Sequence, residues 1–351
     1  MAAPQSELRL AFYGDDFTGS TDALEVLAFA GLRCALFLRV PDAATLRELG
    51  PFDAIGIAGD SRGMSPPEMD EAMPAVLSAL ARLPTPLLHY KVCSTFDSSP
   101  AIGSIGRVMD LARAACGEGA IPIVGGTPAL GRYCVFGNLF ARSGTDGQVH
   151  RLDRHPIMSA HPVTPMHEAD LARHLAAQTA QPIAKLTCAT LDGGREAADR
   201  ELARLAADTR SAILFDASTP AHLTEVGRLL ESLTRGRSRP LFCVGSSGLE
   251  YALTQWWREC GASQAATKPG TKAAACSASV LARSSMRCCA RCRCAASCCR
   301  AATPRAGSPR DTTTLSEKVL SFRGLRVLSR FVFLRVQFQS DGCKALPRTR
   351  D

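Results

Sequence analysis

Leu8-Arg9-Leu10-Ala11-Phe12-Tyr13, followed directly by Gly14-Asp15-Asp16-Phe17-Thr18-Gly19-Ser20-Thr21-Asp22, decides the fold of this chain. The first six residues form a short apolar run with the length of a buried strand, and the glycine and paired aspartates break it into a loop. Beyond the loop, Ala23, Leu24, Leu27, Ala28 and Ala30 recur at near-helical spacing, with Gly31 placed to close a helix. An apolar strand, a polar loop and an amphipathic helix are the opening unit of a parallel α/β sheet.

The same alternation continues outward. Further strands are expected at 34–40, 54–58, 86–90, 121–124, 183–187, 212–215 and 241–244, and helices at 69–82, 102–116, 169–178, 194–207 and 219–233. The pattern predicts an α/β fold, a mostly parallel sheet with helices on both faces. Ligands of such sheets gather outside the carboxyl ends of the strands. The polar signals recur at those ends: Asp15-Asp16, Asp60-Ser61-Arg62, Lys91-Val92-Cys93-Ser94-Thr95, Gly125-Gly126-Thr127 and Gly245-Ser246-Ser247-Gly248.

Charge is split along the chain. The net charge of +8 combines 41 basic and 33 acidic residues. Residues 268–351 hold 17 Lys and Arg against 4 Asp and Glu, which leaves 24 basic and 29 acidic residues before them, a net of −5. The mildly acidic body gives no charge argument for nucleic acid, and no nucleic-acid partner is expected. The 15 cysteines divide the same way, with six scattered before position 250 and seven crowded between Cys276 and Cys299. No apolar run approaches the ~20 residues of a membrane span. The first residues lack the basic-then-apolar pattern of a secretory signal. A cytoplasmic location and no membrane partner are the expectation.

Between Gly14 and Asp22 lie three carboxylates and three hydroxyls. Adjacent carboxylates at a strand end can accept hydrogen bonds from substrate hydroxyls, and one can take a proton from an attacking alcohol. Helix capping by Asp16 or Thr18 is the structural alternative, but it needs only one of these residues. Phe17 stands where an aspartyl-nucleophile phosphatase carries its second Asp, which argues against covalent aspartyl chemistry. The lysine and hydroxyls of 91–95 suit an anionic ligand, and a solvated turn is the alternative. Arg62 offers a guanidinium for a carboxylate. Gly131-Arg132, and His155 and His161 before their prolines, read as loop signals, and no metal site is expected. The Gly245-Ser246-Ser247-Gly248 turn could cradle phosphate but matches neither the P-loop nor the dinucleotide pattern.

In this order, GDDFTGSTDALE (14–25), DSR (60–62), KVCST (91–95), GGTPALGRY (125–133), HPVTPMHEADL (161–171) and FCVGSSGLEYAL (242–253) resemble the four-carbon acid sugar kinase family. The resemblance covers Leu8 to about Trp257. It implies an enzyme that uses ATP and Mg²⁺ to phosphorylate a hydroxyl of a tetronate: threonate, erythronate or a 3-oxo form. The form KVCSTFDSSP leans toward the 3-oxo-tetronate kinase branch. The implied site lies between an acid-sugar-binding and a nucleotide-binding domain. Asp16 or Asp15 would be the catalytic base. Thr18, Gly19, Asp22, Arg62, Lys91 and Ser94 would bind substrate, its carboxylate falling to Arg62 or Lys91. Gly245, Ser246, Ser247 and Gly248 would meet the nucleotide. The expected partner is a small acid sugar, with a homodimer as the possible assembly.

The resemblance divides the chain into an acid-sugar-binding domain at 1–240, the start of a truncated nucleotide-binding domain at 241–266, and a basic Cys/Arg-rich tail at 267–351. The tail is expected to be irregular and disordered. Its composition is unlike a globular interior and matches an out-of-frame reading of GC-rich codons. Cys289 and Cys292 form a C-x₂-C pair with no second pair to complete a zinc site. Three readings follow: an ATP-dependent tetronate kinase, an acid-sugar-binding domain without catalysis, and an interaction module built on the basic tail.

Overall fold

β1 (Leu10–Gly14) is buried along its whole length, so every side chain has to find an apolar neighbour on one face or the other. The computed structural model describes residues 8–144 and 147–261, and two short strands farther on. After β1 come α1 (Phe17–Phe29), β2 (Cys34–Phe37), α2 (Ala43–Leu49), β3 (Ala54–Ala58), α3 (Pro66–Ala81), β4 (Leu87–Lys91), α4 (Ile105–Cys116) and β5 (Ile121–Val124). Three strands that are not apolar runs follow: β6 (Arg132–Val135), β7 (Asn138–Arg142) and β8 (Val149–Arg151). The rest is α5 (Leu171–Ala176), β9 (Ile183–Leu186), α6 (Cys188–Asp192), α7 (Arg195–Ala206), β10 (Ala212–Phe215), α8 (Pro220–Leu233), β11 (Leu241–Gly245) and α9 (Gly248–Glu259).

Eight strands form one sheet in the order β2-β3-β1-β4-β11-β5-β10-β9, and every pairing within it is parallel. The period-2 alternation of each strand feeds two cores. Ala11 and Tyr13 of β1, with Phe242 and Val244 of β11, meet Met69, Met73 and Leu77 of α3 and Val108 and Met109 of α4. Leu10 and Phe12, with Leu241 and Cys243, meet Leu24 and Leu27 of α1, Leu202 of α7, Val226 and Leu230 of α8 and Leu253 of α9. Helices therefore cover both faces, as the alternation of strands and helices predicts.

The chain runs from β1 out to β2 and back to β3, then crosses β1 to lay β4 on its other side. The connections after β1 and β4 thus leave in opposite directions, and a crevice opens between their carboxyl ends. Asp15-Asp16 and the loop after Lys91 line that crevice.

Two expectations are corrected here. The second domain was placed from residue 241, but β11 lies inside the sheet, with Gly245 in register with Lys91 of β4 and with Val124 of β5. Its five residues are all buried, so it joins the two halves of this sheet. Gly131-Arg132, read as loop, instead leads into β6, which forms a small antiparallel sheet with β7 and β8. The 267–351 segment, with its expected disorder, lies outside the described residues apart from β12 (Arg326–Leu328) and β13 (Phe331–Phe333), paired antiparallel. Among the described residues no helix is long and apolar enough to cross a membrane.

Candidate functional site

Asp16 begins α1. Its backbone is extended (φ −147°, ψ 165°), and its Oδ1 accepts the Gly19 N–H at 2.6 Å, so the capping role read from the sequence is real. The other oxygen does something capping does not need. Oδ2 accepts a hydrogen bond from Arg62 Nη1 at 2.8 Å. Arg62 also grips Asp15 side-on, with Nε to Oδ2 at 3.0 Å and Nη2 to Oδ1 at 2.7 Å. The backbone fixes this fork, since the Arg62 N–H donates to the Asp15 carbonyl and the Asp15 N–H to the Lys91 carbonyl. One guanidinium bridging two adjacent carboxylates is a strong, geometrically specific arrangement.

The two carboxylates are not equivalent. Asp15 is 2 % exposed, whereas the Asp16 side chain is 28 % exposed, so a ligand entering the crevice meets Asp16. Burial opposes charge on both members of the Asp15–Arg62 pair. It raises Asp15, and the bonds and charge of Arg62 pull back without restoring it. Burial also works against the Arg62 cation, but its hydrogen bonds to Asp15 and the two nearby carboxylates outweigh that and leave it raised.

Lys91 ends β4 and is itself buried, with Nζ donating to the Val92 carbonyl at 2.9 Å and lying 3.7 Å from Asp22 Oδ2. Gly19 roofs the group: a Cβ there would sit 2.6 Å from Asp16 Oδ1 and 3.0 Å from Lys91 Nζ. A side chain at this position would crowd the charged ends of both. Ser94 is half-buried in the next loop and makes no hydrogen bond among the described residues, and Thr18 is exposed on the first turn of α1. Asp15, Asp16, Gly19, Asp22, Arg62 and Lys91 therefore form one cluster, with Thr18 and Ser94 at its edge. Arg62 directs three hydrogen bonds at Asp15 and Asp16, whereas Lys91 Nζ makes one, to the Val92 carbonyl, with Asp22 beyond hydrogen-bond distance.

The loop after β4 links several of its polar groups to one another. Phe96 has φ 54°, left-handed backbone that a non-glycine residue adopts only when its surroundings hold it. Cys93 Sγ lies 3.0 Å from Thr95 Oγ1, which donates to Asp97 Oδ1 at 2.6 Å. Burial and the Asp97 charge push the Cys93 thiol up to about 11, so it is a neutral group at physiological pH.

The Gly245-Ser246-Ser247-Gly248 turn is built differently. Ser246 and Ser247 are 1 % and 0 % exposed, and Ser246 Oγ lies 2.5 Å from Thr127 Oγ1. A Cβ on Gly248 would fall 2.1 Å from the Gly126 carbonyl. The side chains of the turn pack against the β5 loop. The spacing Ser247-x-x-Glu250 reads as a capping box, yet Glu250 turns away to His89 Nδ1 at 2.6 Å. His89 Nε2 in turn donates to the Gly245 carbonyl at 3.0 Å. Since a carbonyl can only accept, this bond fixes the Nε2 proton. Both His89 and Glu250 are fully buried. A second buried carboxylate, Asp216, accepts from the N–H groups of Phe136, Gly137 and Cys188 at 2.6, 2.8 and 3.0 Å, pinning the β6–β7 turn to the sheet.

A doubly covered parallel sheet with an acid–arginine–lysine cluster at its switch point defines an α/β domain whose charged residues gather where such sheets hold their ligands. The chain belongs to the family described as the sugar-binding N-terminal domain, whose model matches residues 10–253. It is 48 % identical over 254 residues to a 3-oxo-isoapionate kinase of Paraburkholderia graminis, a match that covers 72 % of this chain and 53 % of that protein. It is 35 % identical to a 3-oxo-tetronate kinase of Methylobacterium radiotolerans, covering 71 % of this chain and 54 % of that one. A solved Haemophilus influenzae structure of the family DUF1537 superposes with a TM-score of 0.61 at 26 % identity, over 72 % of this chain and 56 % of that one. The chain thus spans about half the length of the curated relatives it matches, and that half contains the whole cluster.

Proposed function

We propose that residues 8–261 are the sugar-acid-binding half of an ATP-dependent kinase that phosphorylates a hydroxyl of a small 3-oxo sugar acid. The observation that carries this reading is the half-exposed Asp16 carboxylate, held by Arg62 at the mouth of the switch-point crevice. The sequence leaned toward a tetronate. The identity of 48 % to an isoapionate kinase, against 35 % to a tetronate kinase, puts the 3-oxo-isoapionate type first and the tetronate type second.

In this reading the substrate hydroxyl donates to Asp16 and leaves its proton there as the oxygen attacks. The Gly19 N–H and Arg62 hold the carboxylate in one rotamer, so it meets the hydroxyl in a fixed direction. Asp15 neutralises Arg62 from beneath and keeps the fork in place. Ser94 and Thr18 supply hydroxyls at the rim for the remaining substrate oxygens. ATP with Mg²⁺ supplies the phosphoryl group in such a reaction. The described residues do not fit that role, because the side chains of the Gly245-Ser246-Ser247-Gly248 turn pack against the β5 loop and Asp15 and Asp16 are engaged by Arg62. No group of three or more metal-ligating side chains occurs among the described residues. The nucleotide and its metal are assigned to the nearly half of each relative that lies outside the match.

The test is a thermal-shift panel on the purified chain, with ADP release measured alongside. Threonate, erythronate, 3-oxo-tetronate and 3-oxo-isoapionate are compared with the neutral polyol threitol. At least one acid is expected to raise Tm where threitol does not, and Asp16→Asn is expected to shift that response. No response to any of the acids would overturn the reading. Sustained ADP release by this chain would contradict the placement of the nucleotide site.

A further inference from the structure

A sugar acid brings a carboxylate that needs a cation, and both cations of the cluster already stand beside carboxylates of the chain. Arg62 makes three hydrogen bonds to Asp15 and Asp16, and Lys91 is held by the Val92 carbonyl with Asp22 beside it. Arg132 is in the opposite condition. It opens β6 at the end of the loop that leaves β5, after Gly131 in the left-handed region (φ 68°). Its Nη1 donates to the carbonyls of Leu130, Gly131 and Arg142, at 2.9, 3.5 and 3.3 Å, which fixes the position of the guanidinium. Its Nε is buried with no acceptor. Nη2, one of the two nitrogens through which Arg62 grips Asp15, has no partner on Arg132 among the described residues and is not among its buried atoms. Burial works against its charge, and the groups that act back on it through space are Cys93 and Asp97. Cys93 also interacts with Arg62. Arg132 follows the loop at the carboxyl end of β5, two strands from β4 in the same parallel sheet, so both guanidiniums stand at the same end of the sheet, Arg62 paired with carboxylates and Arg132 not.

We propose that Arg132 is the residue that holds the carboxylate of the sugar acid, through its unpartnered Nη2, while the hydroxyl end of the same molecule lies at Asp16. The assignment rests on the acid-sugar reading above and makes Arg132 the group that selects acids over neutral polyols. A half-buried guanidinium anchored on one side by carbonyls is prepaid for this task, since its fork is already oriented when the ligand arrives.

Titration calorimetry with threonate, a chemically stable sugar acid, on wild type, Arg132→Gln and Arg132→Lys tests the proposal. Arg132→Gln is expected to weaken threonate binding on the order of 10- to 100-fold, the loss of a charge-assisted hydrogen-bonded pair. Arg132→Lys, which keeps the charge but not the fork, should restore only part of it. Because the Nη1 bonds also brace the β5–β6 loop, a footprint on unmodified protein accompanies the variants. Threonate should protect Arg132 from phenylglyoxal, read by mass spectrometry, and threitol should not. Wild type that binds threonate, with full affinity in Arg132→Gln and no protection of Arg132, overturns this inference and leaves the acid-sugar reading standing. Wild type that binds no sugar acid at all overturns both.

Discussion

The carboxyl ends of β1, β3 and β4 and those of β11 and β5 are neighbours in one sheet, yet they are finished in opposite ways. At the first, charged side chains meet one another: Asp15, Asp16 and Arg62 share three hydrogen bonds, and Asp22 stands by Lys91. At the second, small residues close on one another: Ser246 meets Thr127, and Gly248 lies against the Gly126 carbonyl. Both loops look like ligand loops in the sequence. The difference teaches that a Gly/Ser-rich turn at a strand end can spend its side chains on packing against the neighbouring loop. A set of unlike charges, by contrast, keeps one member at the surface.

If the charged end is held by its pairing, the largest effect should come from breaking it where it is most buried. Asp15→Ala leaves Arg62 without its side-on partner and should cost about 3 kcal/mol of unfolding free energy, measured by urea denaturation. A loss below about 1 kcal/mol would mean that Asp16 and solvent satisfy Arg62 unaided. Next comes the packed end. Gly248→Ala drives a Cβ into backbone at 2.1 Å and should cost about 2 kcal/mol by overpacking. Threonate affinity should stay within a factor of about two of wild type, well under the tenfold that 1.4 kcal/mol would bring. A selective loss of ligand binding there would break the comparison and reopen the turn as a site.

Gly19→Ala sharpens it from the other side. The new methyl crowds only the flexible ends of Asp16 and Lys91, and alanine is the better helix former by about 1 kcal/mol. Stability should therefore stay near wild type while threonate affinity falls about tenfold. The smallest effect concerns Cys93. Its thiol, raised to about 11 by burial and Asp97, stays protonated and unreactive well above neutral pH. Its thiolate fraction, and with it the rate of alkylation by iodoacetamide, should climb about tenfold per pH unit until the pH nears that value. Of the cysteines among the described residues, the exposed Cys260 should be modified first. Rapid modification of Cys93 at pH 7 would show that the loop is more open, and more positive, than described.

The sheet was legible in the sequence because each buried strand is a run such as Ile121–Val124 or Ala212–Phe215, apolar on both faces. β6 to β8 were not, since their alternating exposure leaves no apolar run and the turn between the first two depends on Phe136 at φ 50°. That omission is why Arg132 passed for a loop residue. Asp15, Asp16, Arg62 and Lys91 stood out as strand-end charges, but sequence spacing cannot show that they spend their charge on each other across 46 and 47 positions. The roles of His89, Glu250 and Asp216 were not legible because their partners are remote in the chain.

The central claim is that a sugar acid binds in the crevice between β1 and β4, and a crystal structure of the chain grown with threonate tests it most directly. The expected result is threonate with one hydroxyl within hydrogen-bond distance of the Asp16 carboxylate and the Asp15–Arg62 fork intact beneath it. Threonate bound at the Gly245-Ser246-Ser247-Gly248 turn, or anywhere away from Asp16, would contradict the account.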